Sequence, residues 1–174
     1  MLWRKVQAGR SGTAITPMSP AKALRIAIPK AGMSANGLQL AVSDLTGENL
    51  ALTPLLDALP TRGLFLRLDG PGASNGFAVL DAGLLTSIIE MQTMGRVGSG
   101  EVPDRMPTTT DAIISEDIVN DCLATFATAL TGLPDWDWAR GYKAAGKVDG
   151  ARAGCLHQII RIRPCLRQGE GEAA

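Results

Sequence analysis

The sequence contains one histidine, three cysteines and few aromatic residues, which make up 4% of its 174 positions. A single histidine excludes a site built from several histidines, and Cys122, Cys155 and Cys165 are too few and too widely spaced for a disulfide scaffold. Seventeen basic residues balance seventeen acidic ones, so the chain lacks the positive field of a general nucleic-acid binder. These absences favour a binding or assembly module over an enzyme.

Long apolar runs are also missing. No segment reaches the roughly 20 uninterrupted apolar residues that span a bilayer, and no apolar stretch follows the basic first ten residues to make a secretory signal. Hydrophobic residues nevertheless make up 45% of the chain, which is typical of a globular core. We therefore predict one domain without direct membrane insertion, with free thiols in a reducing cytoplasm.

Glycine, proline and charge divide the chain into a domain and two tails. Residues 1–20 are basic and have no apolar period, which predicts a flexible N-terminal tail. Residues 167–174 are small and polar, which predicts a disordered C-terminal tail. The folded domain is expected within residues 21–166.

Local signals predict the elements at the start of this domain. Ser19 followed by Pro20 is a typical helix start, and Pro29 and Gly32 are expected to limit that helix. Residues 38–42 alternate between apolar and other side chains and predict a strand.

The clearest supersecondary signal is a β-hairpin. Two apolar runs, 63–68 and 77–80, flank the turn-rich segment 69–76. Asp81 then has the character of a helix N-cap, and Gly95 is well placed to end that helix.

The second half predicts a longer helix and two strands. Residues 95–106 read as a loop, and Thr108 with Asp111 resembles a capping box that opens the helix. Residues 142–148 predict a strand, and Ile159–Ile162 predicts another that ends before Pro164.

The chain offers little catalytic chemistry. Cys155 and His157 lack the further ligands that a zinc site needs and any group that would activate a nucleophilic pair, so we interpret them as ordinary strand residues. The glycine-rich stretch 95–100 follows a helix and lacks the Lys-Ser/Thr of a phosphate-binding loop. We predict no catalytic residue, no metal site and no cofactor.

One string in the middle of the chain is more specific than the rest: Ile89 to Arg96 reads Ile-Glu-Met-Gln-Thr-Met-Gly-Arg. Further characteristic residues surround it: Leu59-Pro60, Leu64–Leu68, Gly70–Gly72, Gly76–Asp81, Leu84-Leu85, Pro107–Ala112, Trp138 and Gly141-Tyr142. In this order they resemble the middle domain of the bacterial flagellar motor switch FliM/FliN family. The resemblance covers about half of the chain, from Pro54 to Tyr142.

The resemblance implies an α/β (α+β) fold of the CheC-like type, with two pseudo-symmetric strand–helix halves of which the second is incomplete here. Family members are structural proteins of the flagellar C-ring, cytoplasmic and peripheral to the inner-membrane face of the basal body. They act in motor rotation, switching and chemotaxis, in a homo-oligomeric ring with neighbouring switch subunits. A glycine-rich loop contacts the rotor protein FliG, and it corresponds here to Met94, Gly95, Arg96, Val97 and Gly98.

The chain departs from the family pattern in three places. The loop reads Met-Gly-Arg-Val-Gly instead of Gly-Gly-x-Gly, and the N-terminal tail has no acidic peptide of the kind that binds CheY. The resemblance fades after about residue 153, and no C-terminal SpoA domain follows. We interpret the chain as a truncated or frame-shifted member, or as a lone middle domain.

Two alternative functions remain open from the sequence. The first is the related sorting-platform component of type III secretion, which neighbouring genes would distinguish. The second is a CheC-type response-regulator phosphatase, whose signature sets an acidic residue and an asparagine one helical turn apart. Asp117 and Asn120 have that spacing, although Ile113 occupies the upstream polar position, so we interpret the pair as a solvated polar face.

Overall fold

The computed structural model describes residues 18–48, 57, 59–71, 75–130, 141–147 and 159–166. Its helices and strands are α1 (Pro20–Ala31), a π-helical turn (Gly32–Asn36), β1 (Leu40–Glu48), β2 (Leu64–Asp69), β3 (Asn75–Leu80), α2 (Ala82–Met94), α3 (Thr109–Ala129), β4 (Lys143–Lys147) and β5 (Ile159–Leu166). The chain thus combines helices with antiparallel strands, which confirms the predicted α/β (α+β) class.

Helix α1 begins as its sequence predicts. The Ser19 hydroxyl accepts a hydrogen bond from the backbone N–H of Lys22 at 3.3 Å, and Pro20 occupies the first turn. Gly32 follows the last α-helical residue and begins the π-helical turn, but the prediction that Pro29 limits the helix was wrong, since the α-helix continues through it to Ala31. The missing N–H of Pro29 removes one backbone hydrogen bond from the helix, and burial of Ala31 stabilises the residues that follow it.

The described strands form two antiparallel sheets. Strands β3, β2 and β4 make one sheet in that order, and β1 pairs with β5 in the other. The predicted hairpin is confirmed, because β2 and β3 pair from Leu64 opposite Leu80 to Asp69 opposite Asn75. Strand β5 was predicted to end before Pro164 but runs past it, with Pro164 opposite Val42 where the register shifts. A proline is tolerated at such an irregularity because the ladder already lacks a regular hydrogen bond there.

The core lies between the helices and the three-stranded sheet. Helix α3 packs against α1, α2, β2 and β4, which makes it the centre of the described structure. The largest fully buried apolar side chains come from several elements: Leu38, Leu64, Leu66, Ile88 and Leu130. Burial of such side chains contributes about 1.5–3 kcal/mol each. Because Ile88 belongs to α2, this core also fixes the helix that leads into the predicted partner-binding loop.

Candidate partner-binding loop

Helix α2 brings the chain to the loop in a defined direction. Asp81 caps its start, with Oδ1 accepting from the N–H of Leu84 at 2.7 Å. Gly95 follows its last residue with φ +68°, a left-handed conformation that favours glycine, and donates its N–H to Met91 O at 2.9 Å. Both predicted ends of the helix are therefore confirmed.

The loop folds back over the end of α2. The backbone N–H of Gly98 donates to Glu90 Oε2 at 2.8 Å. Two residues further along α2, Gln92 Oε1 accepts from Asn36 Nδ2 at 2.8 Å, which joins this end of the helix to the π-helical turn. The same stretch of α2 is thus bonded on one side to the loop and on another to a separate segment of the fold.

The five residues that the resemblance assigns to partner binding differ in exposure. Met94 is 56% exposed, and Gly95, Arg96 and Gly98 are exposed as well. Val97 is half-buried and packs against the hydrophobic core. A partner could therefore reach Met94 and Arg96 directly, whereas Val97 anchors the loop to the protein. The binding role of these residues stays a prediction.

The far end of the loop is held by an ion pair that the sequence analysis missed. Arg105 Nη1 and Nη2 donate to Asp111 Oδ2 and Oδ1 at 2.6 and 3.0 Å. Asp111 also completes the predicted capping box: Oδ2 accepts the N–H of Thr108 at 2.7 Å, and its own N–H donates to Thr108 Oγ1 at 3.2 Å. The sequence did contain a signal for this pair, since Arg105 lies three positions before the Thr108–Asp111 capping box.

The electrostatics of this pair are strong because one partner is buried. Asp111 is only 5% exposed, and the guanidinium of Arg105 lowers the pKa of its carboxyl to about 2. The carboxylate is therefore charged at neutral pH and holds Arg105 in a bidentate contact, the strongest common geometry for such pairs. Segment 95–108 is consequently fixed at both ends.

Exposed apolar side chains are concentrated in and beside this segment. Val102 and Met106 lie in the loop, and Ile113 lies in the first turns of α3 at 62% exposure. Together with Met94 they account for most of the large hydrophobic side chains that the described residues leave exposed. Exposed apolar side chains of this size are suited to contact with another protein.

The phosphatase-like pair on α3 is not arranged as a pair of solvent-facing groups. Asp117 is exposed, in agreement with a solvated face. Asn120 is half-buried, and its Oδ1 accepts the backbone N–H of Ala144 in β4 at 2.8 Å. The solvated interpretation was therefore wrong for Asn120, because the sequence does not reveal that β4 packs against this turn of α3.

The cysteine and metal predictions are tested only in part. Cys122 is half-buried on α3, and burial raises the pKa of its thiol to about 12, so it is not poised as a nucleophile.

Within the described ranges, no group of three His, Cys, Asp or Glu residues could hold a metal ion. Nor is any helix in that part of the chain long and apolar enough to cross a membrane. Both predicted tails up to Pro17 and from Arg167, as well as Cys155, His157 and Trp138, lie outside the described residues.

A comparison with solved structures finds a similar fold in the crystal structure of a FliG–FliM complex from H. pylori. The TM-score is 0.55 over 87% of this chain and 87% of that chain, at 11% sequence identity. No family model and no curated protein matches the sequence. The likeness shows a fold shared with a chain of that complex, in agreement with the predicted α/β (α+β) class. The CheC-like type with two pseudo-symmetric halves and membership of the FliM/FliN family stay predictions.

Proposed function

We propose that this chain is a structural component of the bacterial flagellar motor switch that works through protein–protein contacts and not by catalysis. The observation that carries the proposal is the fold shared with a chain of the FliG–FliM complex over 87% of the length. Fold alone does not assign function. The geometry of the loop between α2 and α3 adds the second support.

The proposed contact with a FliG-like rotor protein is centred on Met94, Gly95, Arg96, Val97 and Gly98. Arginine is enriched among the residues that dominate binding energy at interfaces, and methionine adapts to irregular partner surfaces. Met94 and Arg96 are both exposed. Met94 is the last residue of α2 and Arg96 lies two positions beyond it, and that helix is capped, packed and bonded at its end. A contact made there would be transmitted through α2 to the core at Ile88.

The proposal includes an assembly role. Copies of the chain would pack side by side with neighbouring switch subunits in a homo-oligomeric ring, peripheral to the cytoplasmic face of the membrane at the basal body. Rotation, switching and chemotaxis would then depend on two arrangements of these contacts, as in other assemblies that switch by repacking interfaces.

The direct test measures binding to the FliG-type protein of the same bacterium by titration calorimetry. Arg96→Glu is expected to weaken binding by at least about tenfold, because it reverses the charge at the centre of the proposed contact. Lys22→Glu is the matched control, since it makes the same charge change at an exposed position in the first turn of α1. That turn is about 15 Å along the helix axis from the π-helical turn that adjoins α2.

Equal affinities of the wild type and Arg96→Glu would contradict the assignment of this loop. A gene deletion tests the cellular role, and loss of swimming is the expected result. A deletion strain that swims normally but no longer secretes type III substrates would instead favour the sorting-platform alternative.

A further inference from the structure

The carboxylate of Glu90 lies directly under the loop that we propose binds the partner. Its Oε2 accepts the N–H of Gly98 at 2.8 Å. A β-carbon placed on Gly98 would lie 3.4 Å from Oε1 and 3.5 Å from Oε2, at ordinary van der Waals distance, so the carboxylate lies close beside this glycine. Glu90 itself is half-buried on α2, one turn before the helix ends at Met94. The hydrogen bond to Glu90 therefore fixes the position of Gly98 relative to α2, a helix that is itself packed against the core.

Three of the four consecutive residues 95–98 are held in place by contacts with the rest of the fold. Gly95 turns the chain with φ +68° and bonds Met91 O, Val97 packs on the core, and Gly98 bonds Glu90. With Gly95, Val97 and Gly98 held in this way, the backbone of Arg96 has little freedom of its own. The exposed side chain of Arg96 therefore starts from a fixed backbone position, although none of these three contacts involves Arg96 itself.

We propose that Glu90 is a positioning residue for the partner-binding loop, holding Gly98 so that Arg96 is presented in its binding arrangement before the partner arrives. The inference rests on the proposed function of residues 94–98. Its physical basis is preorganisation, because a loop that is already ordered loses less conformational entropy on binding. Glu90 would therefore influence affinity without entering the interface.

Two substitutions separate the acceptor from the charge. Glu90→Gln retains a side-chain oxygen at the same reach, whereas Glu90→Ala removes the acceptor. Glu101→Ala is the control, since Glu101 is an exposed carboxylate of the same loop and its removal changes the local charge equally. The first measurement is the exchange rate of the Gly98 amide proton by NMR on the full chain, and the second is affinity for the FliG-type protein.

We expect Glu90→Ala to accelerate Gly98 exchange by between about twofold and about tenfold, the range that one net hydrogen bond supports, and to weaken binding by a similar factor. Glu90→Gln should restore most of both values, and Glu101→Ala should change neither. The thermal unfolding midpoint of every variant is measured alongside, so that a general loss of structure is recognised.

An unchanged exchange rate of the Gly98 amide proton in Glu90→Ala would overturn the inference, whatever the affinity for the FliG-type protein. Faster exchange with unchanged affinity, in a protein whose binding is weakened by Arg96→Glu, would also overturn it while leaving the proposed function in place. If neither Arg96→Glu nor Glu90→Ala alters binding, the assignment of this loop as the partner contact fails, and the role of Glu90 in binding fails with it.

Discussion

Asn120 Oδ1 accepts a hydrogen bond from the backbone N–H of Ala144 at 2.8 Å, which joins the middle of α3 to strand β4 across 24 positions of sequence. A phosphatase of the CheC type would need the asparagine amide to orient a water beside an acidic group. In this chain the carbonyl end of that amide is bonded to the sheet, while Asp117 faces solvent. Asn120 thus makes a structural contact, whereas the phosphatase alternative needs this side chain for catalysis.

Replacing Asn120 should therefore reduce stability. Asn120→Ala leaves the partly buried N–H of Ala144 without its acceptor, and we expect the free energy of unfolding to fall by about 1–3 kcal/mol. Urea unfolding measures the change, with Asp117→Ala as an exposed control expected within about 0.5 kcal/mol of the wild type.

The same variants test the enzyme alternative. With phosphorylated CheY as substrate, we expect the wild type to leave the rate of dephosphorylation unchanged. An acceleration by the wild type that disappears in Asn120→Ala, in a variant that remains folded under the assay conditions, would show that the asparagine is catalytic and that the scaffold proposal is wrong.

Stability should depend on pH through Asp111. Its pKa in the folded protein is about 2, below the ordinary value of 3.8, because of the hydrogen bonds from Arg105. A depressed carboxyl pKa stabilises the fold above the unfolded value, and this contribution is lost as pH falls from about 4 to about 2. The shift corresponds to about 2 kcal/mol at neutral pH.

Asp111→Asn and Arg105→Ala isolate this effect. Urea unfolding between pH 2 and pH 7 should show a stability difference between wild type and Asp111→Asn that is constant above pH 5 and shrinks below pH 4. In Arg105→Ala the acid-dependent loss between about pH 4 and pH 2 should be smaller than in the wild type, because the main cause of the lowered pKa is gone and the folded and unfolded pKa values of Asp111 lie closer together. A difference that does not change with pH would contradict the ion pair as the source of this stabilisation.

The features that sequence reasoning predicted correctly depend on neighbouring residues. Ser19, Asp81 and Thr108 each cap a helix within three positions, and the β2–β3 hairpin depends on the turn chemistry between its strands. Such interactions close over short stretches of chain, so the residues present at a site are sufficient to predict them.

Features that depend on packing were missed. The contact between Asn120 and β4 requires knowledge of which strand covers α3, and the continuation of α1 through Pro29 requires knowledge of what buries Ala31. The loop is an intermediate case. Its position and its arginine were predicted, but the exposure of Arg96 and the bond that Gly98 donates to Glu90 became visible only with the path of the backbone.

Gly32 should resist substitution for steric reasons alone. Its φ of −56° is helical, so the backbone conformation suits any residue. However, a β-carbon at Gly32 would lie 2.5 Å from the carbonyl oxygen of Leu38, which is backbone and cannot rotate away. We expect Gly32→Ala to lower the free energy of unfolding by about 1–3 kcal/mol.

Gly100→Ala is the matched control for this change. Nothing lies within 4 Å of its β-carbon position, so we expect stability to stay within about 0.5 kcal/mol of the wild type or to rise slightly. Thermal unfolding of both variants provides the comparison. Equal midpoints would mean that the chain near Leu38 can yield, which would contradict a tight approach at Gly32.

Ile88 links the stability of the core to the loop. It is 0% exposed on α2, and Ile88→Ala should lower the free energy of unfolding by about 2–5 kcal/mol because it leaves a cavity beneath that helix. Ile113→Ala removes the same atoms from a side chain that is 62% exposed and should cost less than about 0.5 kcal/mol.

A milder change at Ile88 tests whether the loop takes its position from α2. Ile88→Val removes one methylene and costs about 0.5–1.5 kcal/mol. If the loop depends on α2, this variant should accelerate amide exchange at Gly98 more than Ile113→Ala does. Equal exchange rates in these two variants would show that the loop is positioned independently of the core.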